Sequence, residues 1–218
     1  MRGGSVTSFS RRFVLDSSSR YNLFANMSSA LAAAIAMLSS ADAGERSAGA
    51  LEIYRAGRDV ADEASRDWRA DPEFAALIEN AAGANEPPVT VGLAVNPITF
   101  EAVRNANGFP HLADVPPDQD AIEFELHFDA NVALDILTTR DTHGQGAIAR
   151  YLSKFGEGIQ QVEYRCRNVD AATALLKKKF AVDPIYPQTR PGADNTRINF
   201  FLARTPNGTK VLIELYEK

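Results

Sequence analysis

From residue 89 onward the chain runs twice through one plan, a strand, then a helix, then further strands joined by tight turns. A strand at 89–95 leads into a helix opened by Asn96-Pro97, since asparagine caps a first turn and proline is tolerated just inside it; Gly108 ends it. Strands at 121–128 and 132–138 are joined by Asp129-Ala130-Asn131, a loop short enough for a hairpin. A helix at 146–155, stopped by Gly156, leads to the second copy. That copy reads strand 159–167, helix 170–180, a short strand at 184–186, strand 196–203, an Asn207-Gly208 turn and strand 210–216. The missing strand of the first copy is expected near His111 to Val115, so both halves read βαβββ. Helices alternating with short strands on this scale give an α+β fold.

Ahead of this domain the composition changes. Residues 1–41 hold Arg2, Arg11, Arg12 and Arg20 against Asp16, a charge of +3, so the other 177 residues carry −8 of the net −5. An acidic folded part argues against a nucleic-acid partner. Tyr21 to Ala41 contains no charged side chain, and 21 residues of helix at about 1.5 Å each span roughly one bilayer core. Residues 1–41 are therefore expected to be a targeting leader, a membrane-anchoring helix, or a small-residue helix packed on protein. Ala41-Asp42-Ala43 offers a cleavage site, and an arginine- and serine-rich start followed by an apolar run resembles a thylakoid-directed leader, so a plastid is favoured over a mitochondrion. Residues 42–87 read as an amphipathic helical linker. It comprises a helix from Glu45 to Trp68 and a second one capped by Asp71-Pro72 and ending near Gly83, before Glu86-Pro87-Pro88. The single cysteine, Cys166, excludes an intramolecular disulfide.

Strand alternation sorts the side chains of the domain into two faces. Ile122, Phe124, Leu126 and Phe128 make one face of their strand and leave Glu123, Glu125 and His127 on the other. By the same rule Asp135 opposes Leu134 and Ile136; Gln161, Glu163 and Arg165 oppose Val162 and Tyr164; Arg197 and Asn199 oppose Ile198 and Phe200; Glu214 opposes Ile213 and Leu215. These polar faces are expected to converge on one cavity, with Glu125, Glu163, Arg165, Arg197 and Asn199 available to bind a ligand.

Gly146–Phe155 with Gly156-Glu157-Gly158-Ile159, Asn168-Val169-Asp170-Ala171-Ala172, Arg190-Pro191-Gly192-Ala193 and Val211-Leu212-Ile213-Glu214-Leu215 resemble the corresponding segments of methylmalonyl-CoA epimerases. These belong to the vicinal-oxygen-chelate superfamily of glyoxalase and bleomycin-resistance proteins. The likeness is strong over 120–217, weaker over 88–119 and has no counterpart over 1–87. It implies two βαβββ modules forming a cup, preceded here by a helical extension. It also implies four metal positions, which fall on Thr90, Asp135, Gln161 and Glu214. Where the family has two histidines among these, the chain has a hydroxyl and an amide, so the resemblance implies no cofactor, or at most a hard divalent cation held by oxygen. A carboxylate removing a proton next to a carbonyl is the family chemistry, which the resemblance assigns to Glu123, with His127 or Glu125 as substitutes. Loss of the histidines and the added leader together point to a non-catalytic accessory subunit of a membrane complex, joined to other subunits or the membrane through residues 1–87. An epimerase or lyase, and a small-ligand-binding module, are the alternatives.

Overall fold

A computed structural model describes residues 29–78, 89–129 and 131–218. Seven strands form a single sheet: β1 (Val89–Ala94), β2 (Ile122–Asp129), β3 (Val132–Thr138), β4 (Gly158–Arg165), β5 (Arg190–Pro191), β6 (Arg197–Arg204) and β7 (Lys210–Glu217). Their spatial order is β2-β3-β1-β4-β7-β6-β5. The first copy supplies β2-β3-β1 and the second β4-β7-β6-β5, so the two modules meet where β1 pairs antiparallel with β4. Each module also contains one parallel pair, β1 with β3 and β4 with β7, crossed over by helices α5 (Pro97–Ala106) and α7 (Val169–Phe180). The α+β cup expected from the sequence is present.

Two strand expectations fail, for a common reason. Residues around His111 to Val115 form no strand, and 184–186 contribute only an isolated bridge from Pro184 to Phe201. Prolines at 110, 116, 117 and 187 bound these segments and Pro184 lies within one, so neither extends into a ladder; 111–115 keeps one bond to β2, from Ala113 N to Glu123 O (3.0 Å). The paired edge strand of the second module is instead β5. Residues 109–121 cross to that module: Asp114 N donates to Asp194 Oδ1 (2.8 Å), Asp194 N donates to Asp114 O (3.1 Å), and Gln119 Nε2 donates to Pro191 O (3.0 Å).

One face of the sheet is covered by helices that precede the domain in sequence. Asp42 caps α2 (Ala43–Ala64) by accepting from Glu45 N, and α2 lies across the central strands with Ile53, Tyr54 and Ala61 buried. The helix expected to reach Trp68 is broken at Ser65, whose Oγ donates to Ala61 O, and resumes as α3 (Arg66–Ala70). Trp68 stacks edge-on against Phe74 and Phe201 at 6.3 and 6.4 Å. Asp71 caps α4 (Pro72–Leu77) through Glu73 N and Phe74 N, and α4 stops short of Gly83 where Ile78 bridges Cys166. Residues 79–88 lie outside the described residues.

The apolar run of the leader is only partly described. Its residues 29–37 form α1 (Ser29–Met37), which buries Leu31, Ala34 and Ile35, followed by fully buried Leu38. Nine residues cannot hold a helix alone in water, so this burial, about 1.5–3 kcal/mol for each large side chain, stabilises it. Asn107 Nδ2 donates to Leu38 O (3.0 Å), tying α1 to the end of α5. Among the described residues no helix is long and apolar enough to cross a membrane. The arginine-rich start, with residues 21–28 of the span, lies outside the described residues.

Close approach fixes α2 on the sheet. A Cβ on Gly57 would stand 2.6 Å from Val91 Cγ1, and Val91 is a β-branched side chain with no free volume. Gly57→Val is therefore expected to lower the unfolding free energy by about 1–3 kcal/mol, measured by urea denaturation. Unchanged stability would mean that α2 does not seat there.

Candidate active site

The face of the sheet away from the helices surrounds a cavity of about 890 Å³. Register places its polar wall row by row. Glu125 on β2 faces Asp135 on β3, Asp135 faces Gly92 on β1, and Gly92 faces Gln161 on β4. In the neighbouring row Thr90 faces Glu163, and Glu163 faces Glu214 across the parallel β4–β7 pair. Residues directly opposite share a face, so these acids are forced together by backbone pairing. Gly92 is required in the first row, because a Cβ there would meet Gln161 Cγ at 2.5 Å. Helix α6 (Ala147–Phe155) closes one end of the cup, where Ile148 packs with Ala94, Val115, Ala121 and Leu137.

Of the residues expected at the site, Glu123, Glu125, His127, Asp135, Gln161, Glu163 and Glu214 all line the cavity. Thr90 shares their face but is buried beneath them, its hydroxyl donating to Glu125 Oε1 (3.3 Å). Arg165 follows Glu163 on the same face and lies outside the cavity wall. Arg197 and Asn199 are corrections. Phe200 pairs with Glu214 and Ile198 with Tyr216, so the cup receives Ile198 and Phe200, and β6 turns Arg197 and Asn199 the other way. Arg197 binds Asp170 of α7 (2.5 Å) and Glu217 (2.8 Å). Asn199, fully buried, clips residue 186, accepting from Tyr186 N (3.3 Å) and donating to Tyr186 O (3.1 Å).

The alternation rule missed three parts of the wall. Gln160 lines the cavity beside Gln161 because the β1–β4 ladder skips one residue between Gln161 and Ile159, a bulge without a distinctive sequence mark. Ile198 and Phe200 were hidden by the inverted reading of β6, and they join Leu212 and Tyr216, which flank Glu214 on β7, in an apolar part of the wall. Asp194 arrives through the loop after β5, in the left-handed conformation (φ 50°).

Burial dominates the electrostatics. It pushes Glu123 up to about 7, with the charge of Asp194 adding to the effect, and Glu163 up to about 8, although a hydrogen bond from Gln161 opposes the shift. Asp135 and Glu214 are held well above the usual carboxylate range, first by burial and then by the other acids around them. Glu125 goes the other way. Burial raises it, but the hydrogen bond and charge of His127, whose Nε2 stands 3.2 Å from Glu125 Oε1, outweigh that with help from Lys218 and Thr90, and the carboxyl is lowered.

The donor set does not fit a divalent metal ion. Gln161 Nε2 donates to both Glu163 Oε1 (3.0 Å) and Glu214 Oε2 (2.7 Å), so the amide presents its nitrogen to the very carboxylates that would share an ion with it. Thr90 is engaged with Glu125. Among the described residues no group of three or more His, Cys, Asp or Glu is placed to hold a metal.

Solved structures similar to this chain include methylmalonyl-CoA epimerase from Mycobacterium tuberculosis, at 29% identity and a TM-score of 0.49, covering 63% of this chain and 93% of that one. Another is a Streptomyces coelicolor methylmalonyl-CoA epimerase variant in complex with 2-nitronate-propionyl-CoA, at 25% identity and a TM-score of 0.48, covering 62% and 96%. A hypothetical protein from Bacillus halodurans matches at 23% identity and a TM-score of 0.49, covering 59% and 91%. No family model and no curated protein matches in sequence.

The raised acids make stability depend on pH with a definite sign. Glu123 and Glu163 have folded values of about 7 and 8 against an ordinary 4.5, so the native state holds more protons than the unfolded chain across that interval. Their stabilising contribution is complete below about 4.5 and is lost as pH rises toward 8. Urea unfolding between pH 4.5 and 8.5 is expected to show falling stability, with a shallower fall in Glu163→Gln, which keeps the shape of the neutral acid. A flat wild-type profile would contradict the burial.

Proposed function

We propose that the cup binds a small organic molecule and moves a proton on it, with Glu123 as the general base. One observation carries this reading. Glu123 and Glu125 lie two residues apart on the same face of β2, and their surroundings push them in opposite directions, Glu123 up to about 7 and Glu125 down. Paired groups separated in this way are how a site keeps one carboxyl exchangeable near neutral pH and another fixed as a charge. A base near 7 is also the efficient one for work at that pH.

The reaction class that suits such a base is proton abstraction from carbon next to a carbonyl. The Glu123 carboxylate takes the proton, the electron pair of the C–H bond moves to the carbonyl oxygen as an enolate forms, and the Glu123 carboxyl returns the proton to carbon. Return after the planar enolate has turned its other face to Glu123 makes the reaction an epimerisation; loss of a neighbouring group makes it a lyase reaction. Geometry supports a bound small molecule as well, because about 890 Å³ lies within the range of small-molecule sites and both polar and apolar side chains line it.

Deuterium wash-in tests the reading without knowledge of the natural substrate. Butanone, levulinate and aminoacetone, a neutral, an anionic and a cationic ketone, are incubated with the protein in D2O and followed by proton NMR. Loss of the signal from the carbon next to the carbonyl is expected for at least one of them. Its rate should rise as pH passes through about 7, as Glu123 ionises, and fall by about 10²–10⁴ in Glu123→Gln. Exchange no faster than in buffer for all three would refute proton transfer.

A further inference from the structure

The charge of the cavity wall is lopsided. Eight aspartates and glutamates line it against three lysines and arginines, and Arg190, one of the three, is already paired with Asp118. The carboxylates that stay ionised, Glu125 foremost, repel an anionic ligand, whereas a cation entering the space favours ionisation of Asp135 and its neighbours.

Two acceptors in the same wall have nothing to accept from. Asp135 is 9% exposed and has no hydrogen-bond or ion-pair partner among the described residues. Oε1 of Gln160 is shielded from solvent and likewise accepts no hydrogen bond. Buried acceptors are ordinarily paired, because leaving one bare costs much of its lost hydration. Once Asp135 is ionised, both lack a donor, and a cation brought beside Asp135 favours that ionisation. Phe200 and Tyr216 line the same cavity, and aromatic rings favour a cation and the hydrocarbon attached to it.

Resting on the small-molecule reading above, we infer that the ligand of this cup is an organic cation, with its ammonium group seated on Asp135 and its hydrocarbon body against Phe200 and Tyr216. A metal ion is the competing occupant. It would need three ligating groups converging on a point, which the described residues do not supply, and it would leave most of the 890 Å³ unfilled.

The test uses n-butylammonium, n-butyrate and Mn²⁺ as probes of the whole protein, by calorimetric titration and by shift of the melting temperature. Butylammonium is expected to bind saturably and to raise the melting temperature, whereas butyrate does neither. Asp135→Asn should weaken butylammonium at least about tenfold, the usual consequence of removing one charged hydrogen-bond partner. Should that variant fail to fold, transferred NOEs from the butyl chain to aromatic protons of the wild-type protein, assigned through Phe200→Leu and Tyr216→Phe, decide the matter. Butyrate binding as tightly as butylammonium, Mn²⁺ displacing the amine from Asp135, no binding of the amine, or a folded Asp135→Asn with unchanged affinity would each overturn the inference. Butylammonium has no carbonyl, so its binding is independent of proton transfer. Amine binding without ketone exchange would sink the catalytic reading alone, and exchange of butanone or levulinate without amine binding would sink this inference alone.

Discussion

The antiparallel pairing of β1 with β4 is the constraint on which the cup depends. It makes one sheet of the two modules, and it sets which residues look inward. A slip of one residue in this ladder would turn Gln161 and Glu163 toward the helices and bring Val162 and Tyr164 into the cavity. The bulge at Gln160 is such a slip confined to one position. Gly92 completes the arrangement by giving up its side chain, so that Gln161 can lie across β1 and still reach Glu163 and Glu214.

Acids gathered in this manner oppose folding. Glu163 and Glu214 are direct neighbours across parallel strands, and Asp135 sits opposite Glu125; each pair would repel if both members were charged. The molecule answers in two ways. Glu125 is ionised beside His127, and the remaining acids take up protons as burial raises them. Apolar side chains at these positions would stabilise the sheet at no electrostatic cost, so the acids are better explained by what the cup does than by what holds it together. The helix side of the sheet carries the stability instead, with α2 seated on Val91 through Gly57 and Trp68 held between Phe74 and Phe201.

Much of this was legible from residue order. The period-two pattern of β2, β3, β4 and β7 placed Glu123, Glu125, His127, Asp135, Gln161, Glu163 and Glu214 on one wall, because each of those strands has an unbroken apolar face to betray the other. In β6 the signal was ambiguous. Its run Arg197-Ile198-Asn199-Phe200-Phe201-Leu202 has large apolar side chains on both faces, and only the pairing of Phe200 with Glu214 reveals which set faces the cup. Asn199 misled because a polar residue was read as a cavity residue, whereas its amide is satisfied by the backbone of Tyr186. The seat of α2 could not be read either, since an amphipathic helix does not specify the surface that it covers.

The segment that fails to become a strand has the largest effect on the chemistry. A second strand at 111–115 would have extended the outer edge of the first module away from the second. Proline at 110, 116 and 117 bounds that pairing, which is held to one bond from Ala113 N to Glu123 O (3.0 Å), and the chain then crosses to the loop after β5, where Asp114 and Asp194 exchange two hydrogen bonds and Gln119 reaches Pro191. This crossing adds Asp118 and Asp120 to the cavity wall and fixes Asp194, whose charge helps to raise Glu123. The loss of ladder hydrogen bonds at the edge and the tuning of the proposed base are thus consequences of one local change, a proline-rich stretch where the duplicated plan called for a strand.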